Sequence, residues 1–405
     1  MTSTPRTIPT THSWRPEIID PTTPQGRERL VQLSHLPGTL ITDPIIAQVD
    51  DLLLSRAPTL NPTELACARH QLMGCDDDSP DRDDFGRWVH YPWSRFLVHI
   101  LPPEQFREAR LARNQLKITA AEQAILTRRT VAIIGLSVGR QIAVTLAMEG
   151  VCGGFRLADG DTLSLSNMNR LPASVSELGL SKVVLAARQL HEIDPYLDIE
   201  IALAGLNGDN LDGFLGVAPG AGMDSDGQVV DLVIEECDDI ALKVSLRRRL
   251  RQLGVPVLME TSERGTLDIE RYDLEPDRPL LHGLLEDVDL DGLQAANQQG
   301  ERKAARKLIL SILPAMRPRT WESVDRVGST LRSWPQLASE IALGAATVTT
   351  AARRILLGGD LASGRHHVDL DLLLAENRLH SADPSGLENR PIGPRLDKLS
   401  SRPMQ

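Results

Sequence analysis

The stretch "TVAIIGLSVGRQIAVTLAMEGVCGGFRLAD", residues 130–159, determines the predicted fold. It starts with a β-branched run, "TVAIIG", passes through a glycine-bearing turn and continues as the small-residue segment "GRQIAVTLAMEG". A second strand-like run, "GFRLAD" (154–159), follows. Strand, helix and strand in this order form a βαβ unit, whose two strands lie parallel in one sheet.

The same alternation continues downstream. The predicted elements are a helix at 182–193, strands at 198–203 and 231–236, a helix at 239–254 and a strand at 255–260. The run "GTLDIERYDLEP" (265–276) then predicts a strand that leaves this half of the sheet. The fold class is therefore α/β, a Rossmann-like mostly parallel sheet flanked by helices, with an N-terminal α+β extension.

Composition shifts predict five segments. They are a flexible N-terminus (1–15), an accessory α+β domain (16–106), a nucleotide-binding domain (107–275), a C-terminal part of the same fold with a crossover segment and a closing helix (276–380), and a disordered tail (381–405). The accessory segment contains the aromatic-rich stretch "FGRWVHYPWSRFLVHIL" (85–101). That stretch predicts two short strands that pack this unit, or alternatively a wall of a substrate pocket.

Bulk composition excludes several classes. The net charge of −11 over 405 residues argues against a nucleic-acid-binding surface. No apolar run is long enough to span a bilayer, and the N-terminal residues have no apolar signal segment. Four cysteines without metal-site spacing are typical of a reduced compartment, so the expectation is a cytoplasmic protein without membrane contact.

The turn between the first strand and helix resembles a phosphate-binding loop. Gly135 and Gly139 flank Ser137, in a shortened form of the pattern G-x-G-x-x-G. Such a turn directs backbone N–H groups and the positive end of a helix at a phosphate. Asp159, at the end of the next strand, is placed to bind a ribose hydroxyl. These residues fit ATP and NAD equally well.

The polar residues that follow favour nucleotidyl transfer. Asp161, Asn167, Asn169 and Arg170 come within a dozen positions of Asp159. Arg170 and Lys182 are cations that can neutralise the charge of a reacting α-phosphate and its leaving pyrophosphate. Asp238, at a strand's carboxyl end, can hold Mg²⁺ by one carboxylate.

Four segments in register carry a family resemblance. "DGDTLSLSNMNRL", "GLSK", "DP" and "DLVIEECDD" follow the glycine turn in the order and spacing of the ThiF/MoeB/HesA family, the adenylyltransferases related to ubiquitin-activating enzymes. Residues 107–275 resemble that family, and the helix at 338–358 resembles its C-terminal helix. The stretch around "GRWVHYPWSR" resembles a bacterial stand-alone subgroup that lacks the catalytic cysteine and zinc motifs.

The resemblance implies ATP- and Mg²⁺-dependent adenylation of a carboxylate. Transferred by position, Asp159 holds the ribose, Asn167 and Arg170 contact phosphates, and Lys182 stabilises the pentavalent phosphorus. Asp238 binds the metal, and Asp161 and Asn169 assist as polar neighbours. "RLARNQ" resembles the segment whose arginine reaches the partner subunit's ATP, so Arg113, or less favourably Arg110, is a candidate and a homodimer is expected.

One departure from the family shapes the expected reaction. No cysteine follows Cys237, and the two C-x-x-C pairs of zinc-bearing members are absent from the sequence. The expectation is an acyl-adenylate of a small molecule or peptide that a nucleophile attacks directly, without a thioester, in a biosynthetic reaction. A carrier or ubiquitin-like protein is a further partner that the resemblance implies.

Other interpretations stay open at this point. A non-catalytic ATP-binding scaffold would fit the shortened glycine loop, and an NAD(P)-dependent oxidoreductase would use Gly135, Gly139 and Asp159 alone. The run "ERGTLDIERYDLEPDR" (263–278) predicts an exposed hairpin of alternating charge, or a clamp in which Arg264 holds the substrate carboxylate. The identities of the acid and of the nucleophile are not encoded in any motif.

Overall fold

The computed structural model describes residues 13–217, 229–284 and 316–375. The chain divides into two units, Met1–His367 and Val368–Gln405, and the described part of the second unit is one short helix with Asp369 as its N-cap. The predicted tail (381–405), residues 1–12 of the N-terminal segment and residues 285–315 lie outside the described residues. The five predicted domain boundaries stay a prediction.

Eleven strands are present in the described ranges. They are β1 Glu17–Ile19, β2 Leu40–Thr42, β3 Arg87–Tyr91, β4 Phe96–Ile100, β5 Thr130–Ile134, β6 Gly154–Ala158, β7 Asp198–Ala202, β8 Leu232–Glu235, β9 Val257–Thr261, β10 Thr266–Glu270 and β11 Gly364–His367.

Twelve α-helices lie in the same ranges. They are α1 Pro24–Ser34, α2 Ile45–Arg56, α3 Pro62–Met73, α4 Pro103–Arg110, α5 Ala120–Leu126, α6 Gly139–Glu149, α7 Lys182–Ile193, α8 Leu211–Leu215, α9 Ile240–Leu253, α10 Pro318–Arg326, α11 Ala338–Leu356 and α12 Leu370–Leu374.

The main sheet has seven strands in the order β11-β10-β9-β8-β5-β6-β7. Strands β9, β8, β5, β6 and β7 pair in parallel, whereas β10 and β11 are antiparallel to their neighbours. The chain moves outward from β5 to β6 and β7 and then returns to β8 on the other side of β5. This confirms the predicted fold class, and it puts the point where strand order reverses between β5 and β8, where open α/β sheets bind ligands.

Alternation along β5 shows why the sheet is covered on both faces. Val131 and Ile133 point into a core shared with α6, α7 and α11, whereas Ala132 and Ile134 point into a second core with α9. Successive residues of a strand face opposite sides of the sheet, so a strand with only apolar residues must be covered on both faces. Helix α11 is rich in alanine and glycine, which lets it pack closely against the sheet.

The N-terminal extension forms its own four-stranded sheet in the order β1-β3-β4-β2. The aromatic-rich stretch supplies the antiparallel pair β3 and β4, as one of its two interpretations predicted. Tyr91 and Trp93 then join this unit to α7: the Tyr91 hydroxyl donates to the His191 carbonyl (3.3 Å) and Trp93 Nε1 donates to Glu192 (2.6 Å). These aromatics therefore attach one sheet to the other at the carboxyl end of α7.

The predicted exposed hairpin at 263–278 is wrong. All five residues of β10 are buried, because β10 lies between β9 and β11 in the main sheet. Arg271 is buried as well, and its guanidinium donates to the carbonyls of Gly359 (3.2 Å) and Leu361 (2.7 Å) and pairs with Asp273. Alternating charge in this run marks buried ion pairs rather than a solvated surface.

Candidate functional site

The glycine turn joins β5 to α6 at the reversal point of the sheet. Gly135 has a φ of +88°, a backbone conformation that residues with a side chain rarely adopt. A Cβ at this position would also lie 2.5 Å from the Glu236 carbonyl oxygen, so both the conformation and the available space require glycine. A Cβ at position 139 would lie 2.6 Å from Ile133 Cγ2, which is too close for any residue but glycine. The N-cap of α6 is Val138, whose side chain has no acceptor, which leaves the backbone N–H groups of the first turn to a ligand.

Asp159 fastens this turn to the end of β6. Its carboxylate accepts hydrogen bonds from the backbone N–H groups of Leu136 (2.6 Å) and Asp161 (2.8 Å). Burial raises the pKa of Asp159, and these N–H donors together with Lys182 oppose the rise in part. The residue predicted to bind a ribose therefore also sets the shape of the phosphate-binding turn.

Lys182 is the first residue of α7 and reaches back toward the turn. Its Nζ donates to Asp161 Oδ2 (2.7 Å) and to Ser137 Oγ (3.2 Å). The lysine side chain is 7% exposed and that of Asp161 is 75% exposed, so the pair lies at the boundary with solvent. Three predicted site residues meet here, and Ser137, which interrupts the glycine pattern, acts as an acceptor for the lysine.

The segment 164–170 forms a compact turn above the sheet edge. Asn167 Oδ1 accepts from both the backbone N–H and the hydroxyl of Ser164 (3.0 Å each). Asn169 donates to the Gln336 carbonyl (2.7 Å), two residues before α11 begins, and its side-chain oxygen accepts from Arg170 Nη1 (2.9 Å). Asn169 therefore positions the Arg170 side chain, whereas Asn167 stabilises the turn at Ser164.

Arg170 and Asp238 act on each other at this edge. Burial lowers the pKa of Arg170, and the charge of Asp238 opposes that change. The Nε of Arg170 is buried without a hydrogen-bond partner among the described residues. Asp238 is exposed between the end of β8 and Asp239, which is the N-cap of α9. A cation and a carboxylate are thus both accessible to a ligand beside the turn.

Two further candidates have separate surroundings. Arg113 is exposed in a short 3₁₀ segment, Ala112–Asn114, whereas Arg110 donates to the carbonyl of Ala147 (2.9 Å) at the end of α6 and pairs with Asp194. Of the two arginines, Arg113 is therefore the one not engaged in the packing of α6. Burial raises the pKa of the Cys237 thiol, which opposes formation of the reactive thiolate.

Sequence reasoning missed two glutamates at the same edge, one half-buried and one buried. Glu236 follows β8, and its Oε1 accepts a hydrogen bond from the backbone N–H of Glu260 in β9 (2.9 Å). Glu260 is 4% exposed. Both residues end apolar strands, "DLVIEE" and "VPVLME", and an acid inside such a run was the available signal.

Fold and site together define a Rossmann-like α/β domain of the ThiF/MoeB type, with its polar residues gathered at the carboxyl ends of β5, β6 and β8. Residues 111–298 match the model of the ThiF family. The chain therefore carries a ThiF-family domain, which confirms the resemblance found in the sequence.

Full-length relatives are larger than the matched segment. An uncharacterized protein of Mycobacterium tuberculosis (strain CDC 1551 / Oshkosh) is 46% identical over 311 residues, which cover 77% of this chain and 41% of the relative. Ubiquitin-like modifier-activating enzyme 5 of Drosophila persimilis is 38% identical over 120 residues, 29% of this chain and 31% of that protein. The chain thus spans well under half the length of either relative.

A solved structure with a similar arrangement is that of the E. coli tRNA N6-threonylcarbamoyladenosine dehydratase TcdA in complex with AMP. Its TM-score is 0.43 at 15% sequence identity, and the match covers 62% of this chain and 95% of that chain. Within the described ranges, none of the helices combines the length and apolarity needed to cross a membrane.

Proposed function

We propose that this domain is an ATP- and Mg²⁺-dependent adenylyltransferase that activates a carboxylate of a small molecule or peptide. The observation that carries the proposal is the meeting of Lys182, Asp161 and Ser137 beside an open helix N-terminus. An NAD(P)-dependent oxidoreductase would leave this buried lysine without a role. A reacting triphosphate needs a cation there, because negative charge builds up on the α-phosphate and the leaving pyrophosphate.

Each residue has a role in that reaction. Asp159 receives the ribose, the N–H groups at the start of α6 receive phosphate oxygens, and Lys182 and Arg170 neutralise the charge that develops. Asp238, an exposed carboxylate beside Arg170, fits Mg²⁺, which favours one or two carboxylates and the substrate's own phosphates. The metal would supply charge neutralisation on the phosphates. A substrate carboxylate oxygen forms a bond to the α-phosphorus, and pyrophosphate leaves.

The activated acid is then attacked directly by a nucleophile. The sequence has no cysteine after Cys237, and the raised pKa of that thiol opposes thiolate formation. The Drosophila relative is named for activating a ubiquitin-like modifier, so a ubiquitin-like or carrier protein belongs among the candidate partners. A cytoplasmic homodimer, in which Arg113 reaches the partner's nucleotide, completes the proposal.

Calorimetric titration of the full chain with Mg·ATP, and separately with NADH and NADPH, tests the nucleotide class. We expect Mg·ATP binding that weakens at least tenfold, about 1.4 kcal/mol, in Asp238→Ala. Asp198→Ala is the matched control, because Asp198 is an exposed aspartate at the start of β7, the opposite edge of the same sheet. NADH binding without ATP binding would overturn the proposal, and binding of neither nucleotide would favour the non-catalytic scaffold.

Isotope exchange between pyrophosphate and ATP, in the presence of carboxylic acids, tests the reaction itself. Lys182→Ala should retain the fold and lose exchange by two orders of magnitude or more, since one charged contact to a transition state contributes about 3–4 kcal/mol. Unchanged exchange in that variant would remove Lys182 from the mechanism.

A further inference from the structure

The carboxyl end of β9 carries three consecutive polar side chains with unsatisfied atoms. Both carboxyl oxygens of Glu260, Oγ1 of Thr261 and Oγ of Ser262 are buried without a hydrogen-bond partner among the described residues. Glu260 itself is 4% exposed. Burying a polar group without a partner is unfavourable, and native proteins rarely leave such groups in a row. These four atoms together indicate a ligand that brings hydrogen-bond donors.

The cluster borders the glycine turn. The backbone N–H of Glu260 donates to Glu236 Oε1 (2.9 Å), and the backbone of Glu236 lies against Gly135. The Cγ of Glu236 is 3.8 Å from the position a Cβ on Gly139 would take, at the first residue of α6. Through Glu236 the cluster therefore adjoins the glycine turn, where the reacting phosphate is proposed to bind.

Helix α11 closes the other side of this cluster. A Cβ on Gly344 would overlap the carboxyl group of Glu260, so the helix can pack here because this residue is glycine. One turn earlier, Glu340 acts on Glu260 by charge. Thr261 and Ser262 are half-buried, which leaves an approach along the edge of the sheet.

The charges around Glu260 select the ligand. Burial and the charge of Glu340 raise the pKa of Glu260 to about 8. Glu235 and Lys243 also act on Glu236, from the side where they pair with each other. When they are ionised, the carboxyl groups of Glu236 and Glu260 repel a phosphate or a second carboxylate, and they attract a group that carries both positive charge and N–H donors.

We propose that Glu260, with Glu236 and the hydroxyls of Thr261 and Ser262, binds a primary ammonium group of the substrate. The inference rests on the proposed adenylation, because it places the ammonium group beside the reacting phosphate, and it narrows the substrate to an amine-bearing molecule. A primary ammonium has three N–H donors for this set of acceptors. A quaternary ammonium has the same charge and no donor.

Carboxyl ¹³C NMR of the full chain, labelled at the glutamate side chains, tests the site with methylammonium and tetramethylammonium as probes. The Glu260 signal is identified by its loss in Glu260→Gln. With Mg·ATP present at pH 8.5, methylammonium should shift this signal, with an affinity at least fivefold higher than at pH 6.5, where the carboxyl is protonated. Tetramethylammonium should leave it unchanged.

Thermal unfolding with the same probes gives a second readout for variants. Methylammonium should raise the Tm of the wild type and of Glu200→Gln, a half-exposed glutamate on β7, and its apparent affinity should fall at least tenfold in Glu260→Gln. An equal response to both ammonium ions, or to Mg²⁺ or K⁺ alone, would overturn the inference, as would no response of Glu260. Mg·ATP binding is measured separately, so its absence would reject the adenylation proposal without deciding the ammonium site.

Discussion

Glu235 and Glu236 are neighbours in the chain, but their side chains lie on opposite faces of the sheet and have different charged neighbours. Glu235 accepts from Lys243 (2.8 Å) and Arg247 (2.7 Å), and Arg247 continues to Glu270 (2.5 Å) in β10. Burial alone would raise the pKa of Glu235, but these two cations outweigh it and hold the pKa at about 2. Glu236 faces the other side, where its neighbour is a second carboxyl group, and its pKa is raised.

This difference distinguishes charges that stabilise the fold from charges that are expected to bind a ligand. On the α9 face every carboxylate of the network has a cation or a hydrogen-bond donor: Glu270 also accepts from the Tyr272 hydroxyl (2.6 Å) and the Leu281 backbone N–H (2.7 Å). On the α6 face Lys243 acts on Glu236 only by charge, because its hydrogen bonds to carboxylate oxygens go to Glu235, and the carboxyl oxygens of Glu260 have no hydrogen-bond partner among the described residues. A paired buried charge connects strands and helix, whereas an unpaired one reduces stability and is expected where a ligand supplies the missing partner.

Breaking the paired side should have the largest effect. Arg247→Met leaves Glu235 and Glu270 buried with fewer partners, and removing one member of a buried pair costs about 3–5 kcal/mol of the free energy of unfolding. Urea unfolding followed by circular dichroism measures the loss. Arg248→Met, an exposed neighbour on α9, should change the free energy of unfolding by less than about 0.5 kcal/mol. Similarly small losses of the free energy of unfolding in both variants would mean that the ion pairs of Arg247 do not stabilise the fold.

Neutralising Glu260, on the α6 face, should instead raise the free energy of unfolding. The pKa of Glu260 is raised in the folded state from 4.5 to about 8, so its contribution is fully favourable below pH 4.5 and is lost as the pH rises toward 8. Glu260→Gln should therefore equal the wild type near pH 4.5 and exceed it at pH 8.5 by on the order of 3 kcal/mol. Chemical unfolding across this pH range measures the difference. A wild type that gains stability between pH 5 and 8 relative to the variant would contradict the assignment.

Displacing the backbone between Glu236 and Cys237 should have an intermediate effect. Gly135→Ala places a Cβ at positive φ and 2.5 Å from the Glu236 carbonyl oxygen, which we expect to cost roughly 2 kcal/mol in the free energy of unfolding and to weaken Mg·ATP binding. Gly254→Ala is the matched control: its φ is +64°, and in the described structure no atom lies within 4 Å of its Cβ position. It should show the backbone penalty of about 1 kcal/mol alone. Equal losses of nucleotide affinity would mean that the contact with Glu236 has no role.

The sequence predicts the parallel sheet and its polar edge because those depend on local patterns. The apolar strands and the helix that begins at Lys182 form as expected. What it could not provide is the surroundings of each acid of "IEECDD", since the cations that pair with Glu235 are Lys243 and Arg247 of α9. The same limit explains the error at β10, where alternating charge predicts solvent exposure although Asp268 pairs with Arg365 of β11 and Glu270 with Arg247 of α9.

Lys182 stands between the two extremes, and it should give the smallest effect on stability. Its cation is buried, but its partners are an exposed carboxylate, Asp161, and the hydroxyl of Ser137, both of which a phosphate can replace. Ser137→Ala removes one neutral acceptor at 3.2 Å and should lower the free energy of unfolding by about 0.5–1.5 kcal/mol. If the hydroxyl holds the lysine toward the turn, Mg·ATP affinity should fall about three- to tenfold, within the same energy range.

Ser176→Ala, at an exposed serine in the segment that leads to α7, is the control for loss of a hydroxyl. Calorimetry on both variants, together with urea unfolding, separates the two effects. Tighter Mg·ATP binding in Ser137→Ala would mean that the serine competes with phosphate for the lysine, and the pair would then belong with the structural charges of the α9 face. Weaker Mg·ATP binding with a nearly unchanged free energy of unfolding would mean that Lys182, like Glu260, is a buried charge that a ligand pairs with during function.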